Sequence, residues 1–361
     1  MNSPLRYGVV GTGMMGVEHI ANILALDGAS VTAAADPHPP SQNAARVAAG
    51  DQSLPVFESH VGLIESGLCD AVVVATPNMT HVGVLLDLME TDLHVLVEKP
   101  LCTTVADCRR VCEADARRDA ITWMGLEYRY MPSIARLITE VRQGTVGDVR
   151  MVSIREHRFP FLDKVGDWNR FNQNTGGTLV EKCCHYFDLM NHITDSEPVR
   201  VYASGGQDVN HLDETYDGRR PDILDNAYVV VDYRNGVRAM LDLCMFAEGG
   251  RNQEEVVVVG DLGKVEAHNP SGEIAIGGRG ESRFSPRVEK VVDQRIAHAG
   301  LHHGASYLEH MHFLAAVRRG SHPLVTLEDG LLAVAMGVAA HRSIEQRRPI
   351  EMHEVLGPQQ D

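Results

Sequence analysis

The sequence has 361 residues, a length that predicts two domains and is also compatible with one large domain, and its 44% hydrophobic and 23% charged residues are typical of a globular protein. Its 49 acidic and 33 basic residues give a formal net charge of −16, which disfavours nucleic acid as a partner. The apolar runs are much shorter than the about 20 residues that a membrane-spanning helix needs, so no membrane partner is expected.

The cellular location is predicted from the N-terminus and the cysteines. The opening stretch, MNSPLRYGVV, contains no basic segment followed by an apolar one, as a secretory signal would require. The seven cysteines are odd in number and lack the spacing of a disulfide scaffold. We therefore expect a cytoplasmic protein whose thiols are reduced.

The first third carries a glycine pattern between a strand and a helix. A short apolar strand over residues 7–10 runs into GTGMMG, Gly11–Gly16, and apolar residues then recur at helical spacing. Gly11 permits a tight turn, Gly13 lets the backbone approach a pyrophosphate, and Gly16 allows close helix–strand packing. The helix start offers N–H groups and a positive dipole end to the phosphates. The residues expected to contact a dinucleotide here are Gly11, Gly13, Met14, Met15 and Gly16.

A second strand over residues 30–35 ends in Asp36, which follows Gly16 by 20 residues. A carboxylate at this point accepts hydrogen bonds from the adenosine ribose hydroxyls. No arginine follows Asp36, so a 2′-phosphate would be repelled, and NAD is favoured over NADP. The alternative is that Asp36 only caps the next helix.

Further strand–helix alternation predicts a doubly wound parallel sheet, whose ligands bind beyond the carboxyl ends of the strands. Polar segments follow several of these strands and are expected on one rim beside the glycine loop. They are Thr76, Pro77, Asn78 and His81, then Glu98 and Lys99, then Glu127. For Lys99 a solvated loop position is the alternative.

After residue 149, alternating apolar and polar runs predict antiparallel hairpins, one with an Asn235-Gly236 turn. The segment from Gly177 to about Ile193 is predicted to be one helix, because it lacks proline and strand alternation. Residues four apart then place Glu181 and His185 on one polar stripe. This stripe continues through Asp188 and His192.

Helical geometry separates the thiols from this stripe. Cys183 and Cys184 lie on flanks that look apolar, and Cys183 is rotated by roughly 200° from His185. A zinc site is the obvious alternative for cysteine, histidine and glutamate, but the spacing matches no known ligand pattern. We predict neither a metal site nor a catalytic thiol. Lys182 is expected to contact the sheet or the surface.

In order along the chain, the glycine pattern, the acid after the second strand, ATPNMTH, EKPL and GGTLVEKCCH resemble the glucose–fructose oxidoreductase/inositol dehydrogenase/MocA (Gfo/Idh/MocA) family. The likeness covers most of the chain, including the closing segment over residues 307–344. It implies an α/β Rossmann domain with a doubly wound parallel sheet, which we place at residues 1–125. It also implies an α+β domain with a large open, mostly antiparallel sheet at 126–361, whose last helices are able to pack back on the first domain.

The resemblance also implies chemistry and assembly. Family members typically oxidise or reduce sugars, inositols and related polyols with NAD or NADP, and the exposed face of the sheet commonly forms homodimers or homotetramers. Their EKP lysine contacts the nicotinamide ribose and the substrate, which corresponds to Lys99. Their catalytic aspartate and histidine fall at Glu181 and His185, and the extra methylene of Glu181 shifts the carboxylate.

These residues predict an NAD-dependent dehydrogenase that oxidises a secondary hydroxyl of a sugar, inositol or glycoside to a ketone. His185 is the expected general base, oriented by Glu181, and Lys99 binds the hydroxyl and stabilises the developing alkoxide. Candidates for substrate contact, besides Lys99 and His185, are His157, Arg158, Trp168, Asn169, Arg170 and His302. The position of His157 is implied by the family's inositol dehydrogenases, whereas Trp168 is equally compatible with a core position.

Three alternatives stay open at this point. A glycoside 3-dehydrogenase is indistinguishable from an inositol dehydrogenase, and some members of the family use NAD for redox-assisted glycoside hydrolysis. A nucleotide-sensing protein without catalysis would keep the fold but not the reaction. The presence of Lys99 and His185 argues against the last of these.

Overall fold

The computed structural model describes residues 3–280 and 284–357, and the chain forms two compact units. The first unit comprises Met1–Glu127, Lys164–Trp168 and Gln294–Leu331. The second unit comprises Tyr128–Asp163, Asn169–Asp293 and Leu332–Asp361.

The first unit contains a parallel sheet, formed among the described residues by six strands in the order β3-β2-β1-β4-β5-β6. The order reverses between β1 and β4, which is the switch point of a Rossmann sheet. All four residues of β4 are buried, as expected for a strand with helices on both faces of its sheet. The strands are β1 (Leu5–Val10), β2 (Ala29–Ala35), β3 (Val56–Phe57), β4 (Ala71–Val74), β5 (His94–Glu98) and β6 (Thr122–Gly125).

The second unit contains a larger sheet of nine strands, again counting only described residues, in the order β14-β13-β12-β11-β7-β10-β9-β8-β15. Its neighbours are antiparallel except for β7 and β10, which run parallel. Both predicted sheet types are therefore confirmed. The strands are β7 (Val149–His157), β8 (Pro198–Gly206), β9 (Asn226–Tyr233), β10 (Arg238–Cys244), β11 (Glu254–Gly260), β12 (Gly263–Asn269), β13 (Glu273–Gly278), β14 (Arg287–Lys290) and β15 (Ile350–Glu351).

The helices surround these sheets, and within the described ranges none is long and apolar enough to cross a membrane. They are α1 (Met14–Leu24), α2 (Pro39–Ala49), α3 (His60–Glu65), α4 (His81–Met89), α5 (Val105–Asp115), α6 (Pro132–Arg142), α7 (Asn172–Thr175), α8 (Thr178–Glu181), α9 (Cys184–Thr194), α10 (Ala305–Arg319), α11 (Leu327–Gln346) and α12 (Met352–Leu356). Helix α10 packs on α1 in the first unit, and α9 packs on β7 in the second.

The larger sheet has two different faces because side chains alternate along a strand. On β7, Val152, Ile154 and Glu156 are buried on the face that α9 covers. Arg155 and His157 lie on the opposite, more exposed face. We call these the inner and the outer face of the sheet.

The prediction of one helix from Gly177 to about Ile193 is wrong. The chain forms α8 and α9, with an interruption at Lys182 and Cys183. Cys183 has φ −84° and ψ −6°, and its carbonyl oxygen accepts hydrogen bonds from the N–H groups of Tyr186 and Phe187 at 2.9 and 3.0 Å. Since Cys183 starts a new helix, the angular spacing of a single helix does not relate Glu181 to His185.

Candidate functional site

The glycine loop of the first unit leaves room for a ligand at the start of α1. Gly11 has φ +85°, and a Cβ there would lie 2.6 Å from the carbonyl oxygen of Ala75. A Cβ on Gly16 would collide with the carbonyl oxygen of Gly11, so this glycine is required for packing. Gly13 is different, because a Cβ there would meet no atom within 4 Å. It precedes α1 without a side-chain cap, which leaves N–H groups for an anion.

Asp36 is fixed at the carboxyl end of β2 beside this loop. Its Oδ2 accepts hydrogen bonds from the N–H and the hydroxyl of Thr12 at 2.8 and 3.3 Å, and its Oδ1 accepts one from the N–H of His38 at 2.8 Å. The next helix, α2, has His38 and not Asp36 as its N-cap. The carboxylate thus belongs structurally to the glycine loop.

The loop after β4 adds an unsatisfied donor to the same rim. Asn78 is 6% exposed, and its Nδ2 has no hydrogen-bond partner among the residues that the structure describes. The ring nitrogens of His81 lie 2.8 and 3.0 Å from the carbonyl oxygens of Pro100 and Thr76, and burial lowers the pKa of His81. His81 therefore ties the loop after β4, which contains Pro77, to the loop after β5. The open space at Gly13 and the donor of Asn78 fit a dinucleotide.

Glu98 connects the end of β5 to two buried histidines. Its Oε1 lies 3.0 Å from Nε2 of His19, and Nδ1 of His19 lies 2.8 Å from Nε2 of His310. Burial would raise the pKa of Glu98, but the hydrogen bond and charge of His19 lower it. The Oε2 of Glu98 accepts the N–H of Lys99 at 3.0 Å, so this network holds the backbone at the predicted catalytic lysine.

Glu127 follows β6 and is bound by residues at the start of α10. Nδ1 of His302 lies 2.9 Å from its Oε1, and the hydroxyl of Ser306 donates to its Oε2. Burial would raise the pKa of Glu127, but the charge and hydrogen bond of His302, together with Ser306, lower it to about 2. Glu127 is therefore an ionised anchor for the start of α10.

The second unit places His185 in an aromatic stack. His185 lies in the first turn of α9 and is 2% exposed. Its ring is parallel to that of Tyr128, with 3.9 Å between the ring centroids and 5° between the planes. The hydroxyl oxygen of Tyr128 accepts a hydrogen bond from Nζ of Lys182 at 2.8 Å. Nζ of Lys182 also lies 2.9 Å from Oε1 of Glu156 on the inner face of the sheet.

Further charges surround this lysine. Glu254 lies directly opposite Glu156 in the β7–β11 ladder, and both are buried. Arg158 lies 3.4 Å from Oε1 of Glu156; burial would lower the pKa of Arg158, but the Glu156 carboxylate raises it. Burial and Glu156 raise the pKa of Tyr186 well above its ordinary value. Two carboxylates thus balance two cations in this cluster, to which His185 is connected through Tyr128.

The rest of the predicted polar stripe has other partners. Arg129 binds Asp188 through two hydrogen bonds, of which Nε to Oδ2 measures 2.7 Å, and both residues are buried. Arg142 lies 2.6 Å from Nε2 of His192. Glu181, at the end of α8, is 6% exposed. Asp188 and His192 therefore connect α9 to the segment around α6.

The predicted substrate residues do not all come together. Arg158 lies in the buried cluster, whereas His157 lies on the outer face and contacts Asp242 at 3.1 Å. The guanidinium of Arg170 is buried and binds the carboxylates of Asp163 and Glu214 at 2.8 and 3.1 Å. The remaining three are Asn169, whose amide donates to the carbonyl oxygen of Leu162 at 3.0 Å, Trp168, which is half-buried, and His302, which binds Glu127.

The thiols form no disulfide bonds, and Cys184 Sγ lies 3.6 Å from the carbonyl oxygen of Glu181. Cys183 and Cys184 are buried, and all seven cysteines are free. Within the described ranges, no three histidine, cysteine, aspartate or glutamate side chains converge as metal ligands.

Sequence reasoning missed Tyr128 and Glu156 in the second unit and His19, His310 and Ser306 in the first. A polar residue on a largely apolar helix is a signal for His19 and His310, whereas the sequence around Tyr128, Glu156 and Ser306 gives no such signal. Lys182 was expected at the sheet or the surface, and the structure buries it against the sheet.

Comparisons with known proteins agree with this architecture. Residues 5–126 match the model of an oxidoreductase family with an NAD-binding Rossmann fold, and residues 138–352 match the C-terminal alpha/beta domain of the same family. A myo-inositol 2-dehydrogenase of Thermotoga maritima is 28% identical over 361 residues, which cover 98% of this chain and 100% of that protein.

Two solved structures are similar over nearly the whole chain. A probable dehydrogenase from Thermotoga maritima has a TM-score of 0.79 and 26% identity, covering 97% of this chain and 100% of that one. A levoglucosan dehydrogenase in complex with NADH and levoglucosan has a TM-score of 0.85, 18% identity and the same coverage, and this likeness shows the fold alone. From the two family models, which together cover most of the sequence, we conclude that the chain belongs to the Gfo/Idh/MocA family of oxidoreductases and carries that family's NAD-binding domain.

Proposed function

We propose that this oxidoreductase oxidises a secondary hydroxyl group of a sugar, an inositol or a glycoside to a ketone. The observation that carries the proposal is the buried His185, whose ring is stacked on Tyr128, which is itself hydrogen-bonded to Lys182 of the charged cluster. The whole-length similarity to a myo-inositol 2-dehydrogenase supports a polyol as the substrate class.

The reaction removes a proton from the hydroxyl oxygen and a hydride from its carbon. When bound, NAD supplies the acceptor of the hydride. His185 accepts the proton, since imidazole exchanges protons near neutral pH. The ammonium group of Lys99 binds the hydroxyl oxygen and stabilises its developing negative charge. Glu181, whose carboxylate is buried at the end of α8, corresponds by the family resemblance to the residue that orients the histidine, and we assign it that role.

The residues proposed to hold NAD lie at the carboxyl ends of the strands in the first unit. The N–H groups at the start of α1 bind the pyrophosphate, and Asp36 binds the adenosine ribose. The carboxylate of Asp36 would repel the 2′-phosphate of NADP, which supports NAD as the preferred cofactor. Asn78 offers its buried Nδ2 to the ligand.

For the substrate, we favour the candidates that keep exposed surface. Trp168 is half-buried, and an aromatic ring of this kind packs well against the C–H surface of a sugar, whereas the half-buried His302 is held by Glu127. Arg170 is occupied by two carboxylates, and His157 faces away from the cluster that holds His185. We therefore assign Arg170 a structural role in its loop.

The experiment is a substrate panel of inositols, free sugars and aryl glycosides, run with NAD and NADP side by side. We expect NADH, followed by its near-ultraviolet absorbance, to form with at least one polyol and faster with NAD than NADPH forms with NADP. Release of the aryl group without accumulation of NADH would instead indicate redox-assisted hydrolysis. Binding of NAD without either reaction would contradict an enzymatic function.

A further inference from the structure

The stack between His185 and Tyr128 has a support that the proposed reaction does not use. The two rings are parallel and each residue is 2% exposed, so neither ring can turn without displacing its neighbour. Parallel rings at 3.9 Å between centroids fix a plane but form no hydrogen bond. The contact therefore sets the orientation of the imidazole and does not carry a proton.

Tyr128 is itself held at its far end. Its hydroxyl oxygen accepts the hydrogen bond from Lys182 at 2.8 Å, and Lys182 lies 2.9 Å from Glu156. Lys182 occupies the break between α8 and α9, immediately before the helix that carries His185. One side chain thus connects the start of α9, the tyrosine under the imidazole and the inner face of the sheet.

The energetics of this pair favour a positional role. Lys182 and Glu156 are 7% and 0% exposed at their side chains, and removing two charges from water offsets most of their attraction. A well-packed apolar pair of the same volume would stabilise the fold as well or better. The ion pair instead fixes a geometry. Nζ of Lys182 donates both to the hydroxyl oxygen of Tyr128 and to Oε1 of Glu156, and this holds the ring of Tyr128 in place.

We propose that Tyr128, held in place by Lys182 and Glu156, is a positioning residue that sets the plane of the His185 imidazole for proton transfer. This inference rests on the proposed role of His185 as the proton acceptor. Orientation of a base affects the reaction step and not the binding of substrate, because the misplaced imidazole still fills its space.

The test is steady-state kinetics of variants of the full-length protein with the best polyol of the panel. In Tyr128→Leu the stack is lost, and we expect kcat to fall about 100-fold while KM changes little. In Tyr128→Phe and in Lys182→Met the stack remains but its anchor is lost, so smaller and similar decreases in kcat are expected. Their double variant should be no slower than either single variant, since both remove one hydrogen bond.

Two further variants protect this test from a simple loss of folding. Lys182→Met leaves the carboxylate of Glu156 buried without its lysine. The kcat of this variant is therefore compared with that of Lys182→Met/Glu156→Gln, which also removes the charge of the carboxylate. The matched control is Tyr233→Phe, which removes another buried hydroxyl whose hydrogen bond reaches Asn191 of α9 at 2.8 Å. Tyr233→Phe should keep the wild-type kcat.

A readout without turnover examines the same geometry. The measurement is the NMR spectrum of protein labelled with nitrogen-15 at histidine. The ring current of Tyr128 should displace the chemical shifts of the His185 ring protons, and the signals missing from the spectrum of His185→Gln identify them. The displacement should vanish in Tyr128→Leu and persist in Tyr233→Phe.

The outcomes separate the two proposals. If the wild type reduces NAD but Tyr128→Leu keeps a kcat within about threefold of it, the positioning role is refuted and the dehydrogenase stands. An equal fall of kcat in Tyr233→Phe and Tyr128→Phe would refute it too, by revealing a general disturbance of α9. If none of the polyols in the panel supports reduction of NAD by the wild type, the proposed function fails, and the positioning role fails with it.

Discussion

Lys99 and His185 differ in how their surroundings hold them. His185 is restrained at its side chain, by the ring of Tyr128. Lys99 is restrained at its backbone, because its N–H donates to Glu98, and its side chain is partly exposed. Under the proposed function, restraint of the imidazole would serve a base that must be aligned, and restraint of the Lys99 backbone would aim its ammonium at the hydroxyl oxygen.

We predict that Lys99→Met and His185→Ala each lower kcat by about 10²- to 10⁴-fold, the usual contribution of an acid–base group. NAD should still bind, since the pyrophosphate contacts of the glycine loop are unchanged, and calorimetry with NAD measures this. His192→Ala is the matched control, because His192 lies on the same helix but contacts Arg142. A near-wild-type kcat in either site variant would refute that residue's role.

Single residues show where sequence reasoning was sufficient. The roles of Gly11 and Gly16 followed from the pattern, and the structure gives each a steric reason: φ +85° for Gly11 and close packing for Gly16. The ion pair between Lys182 and Glu156 could not be predicted, because Glu156 lies on a strand and a local sequence pattern does not show that this strand contacts Lys182. Spacing reports neighbours along one element, and the contacts of His185 come from other elements.

At the scale of elements, the break between α8 and α9 is the clearest departure from the sequence-based expectation. The absence of proline and of strand alternation favoured one helix through Lys182 and Cys183. Tertiary contacts decide otherwise, since Lys182 reaches Tyr128 and Glu156 while Cys183 begins a new hydrogen-bonded turn. Propensity is a weak prior, and a buried ion pair can override it.

The strands were easier to predict than the contacts between helices. Parallel strands such as β4 are continuous apolar runs, and β9 and β10 are joined at the predicted Asn235-Gly236 turn. By contrast, the hydrogen bond between His19 and His310 joins residues 291 positions apart in the first unit. Neither helix alone shows why it carries a buried histidine.

The contact between the end of β6 and the start of α10 predicts a dependence of stability on pH. The pKa of Glu127 falls from an ordinary 4.5 to about 2 in the folded protein, through His302 and Ser306 and against the cost of burial. A carboxyl group with a lowered pKa stabilises the fold above its ordinary pKa and loses this contribution as the pH falls through the lowered value. The relevant window is therefore from about pH 5 down to about pH 2.

We expect Glu127→Gln to weaken this dependence. Across that window the wild type should lose up to about 3 kcal/mol more of its free energy of unfolding than the variant does. Denaturant unfolding at a series of pH values, followed by circular dichroism, measures the difference. Glu354→Gln is the comparison: the pKa of Glu354 is also about 2, but its side chain is exposed and solvent screens its pair with Arg348, so this substitution should change the pH dependence less than Glu127→Gln does. Equal pH dependence in the wild type and Glu127→Gln would show that the contact with His302 contributes nothing.

The exposed apolar side chains on the outer face of the larger sheet indicate that the protein associates with itself. Tyr202, Tyr228, Val230 and Met240 are 47%, 63%, 44% and 38% exposed. In the ladders Val230 lies opposite both Tyr202 and Met240, so three of these side chains form one continuous row. Exposed apolar patches of this kind mark interfaces between proteins. Charged pairs at its border, Arg200 with Asp232 and Arg155 with Glu255, give the polar rim that interfaces usually have.

We predict that the protein is a homodimer or homotetramer through this face, and that Val230→Arg dissociates it. The substitution places a charge at the centre of the apolar row, where a partner subunit would leave it without water or a counter-ion. Sedimentation equilibrium of both proteins measures the mass. Val61→Arg is the control, because Val61 has nearly the same exposure, 43%, but lies on α3 in the first unit. A monomeric wild type, or a Val230→Arg variant with the wild-type mass, would exclude this face as the interface.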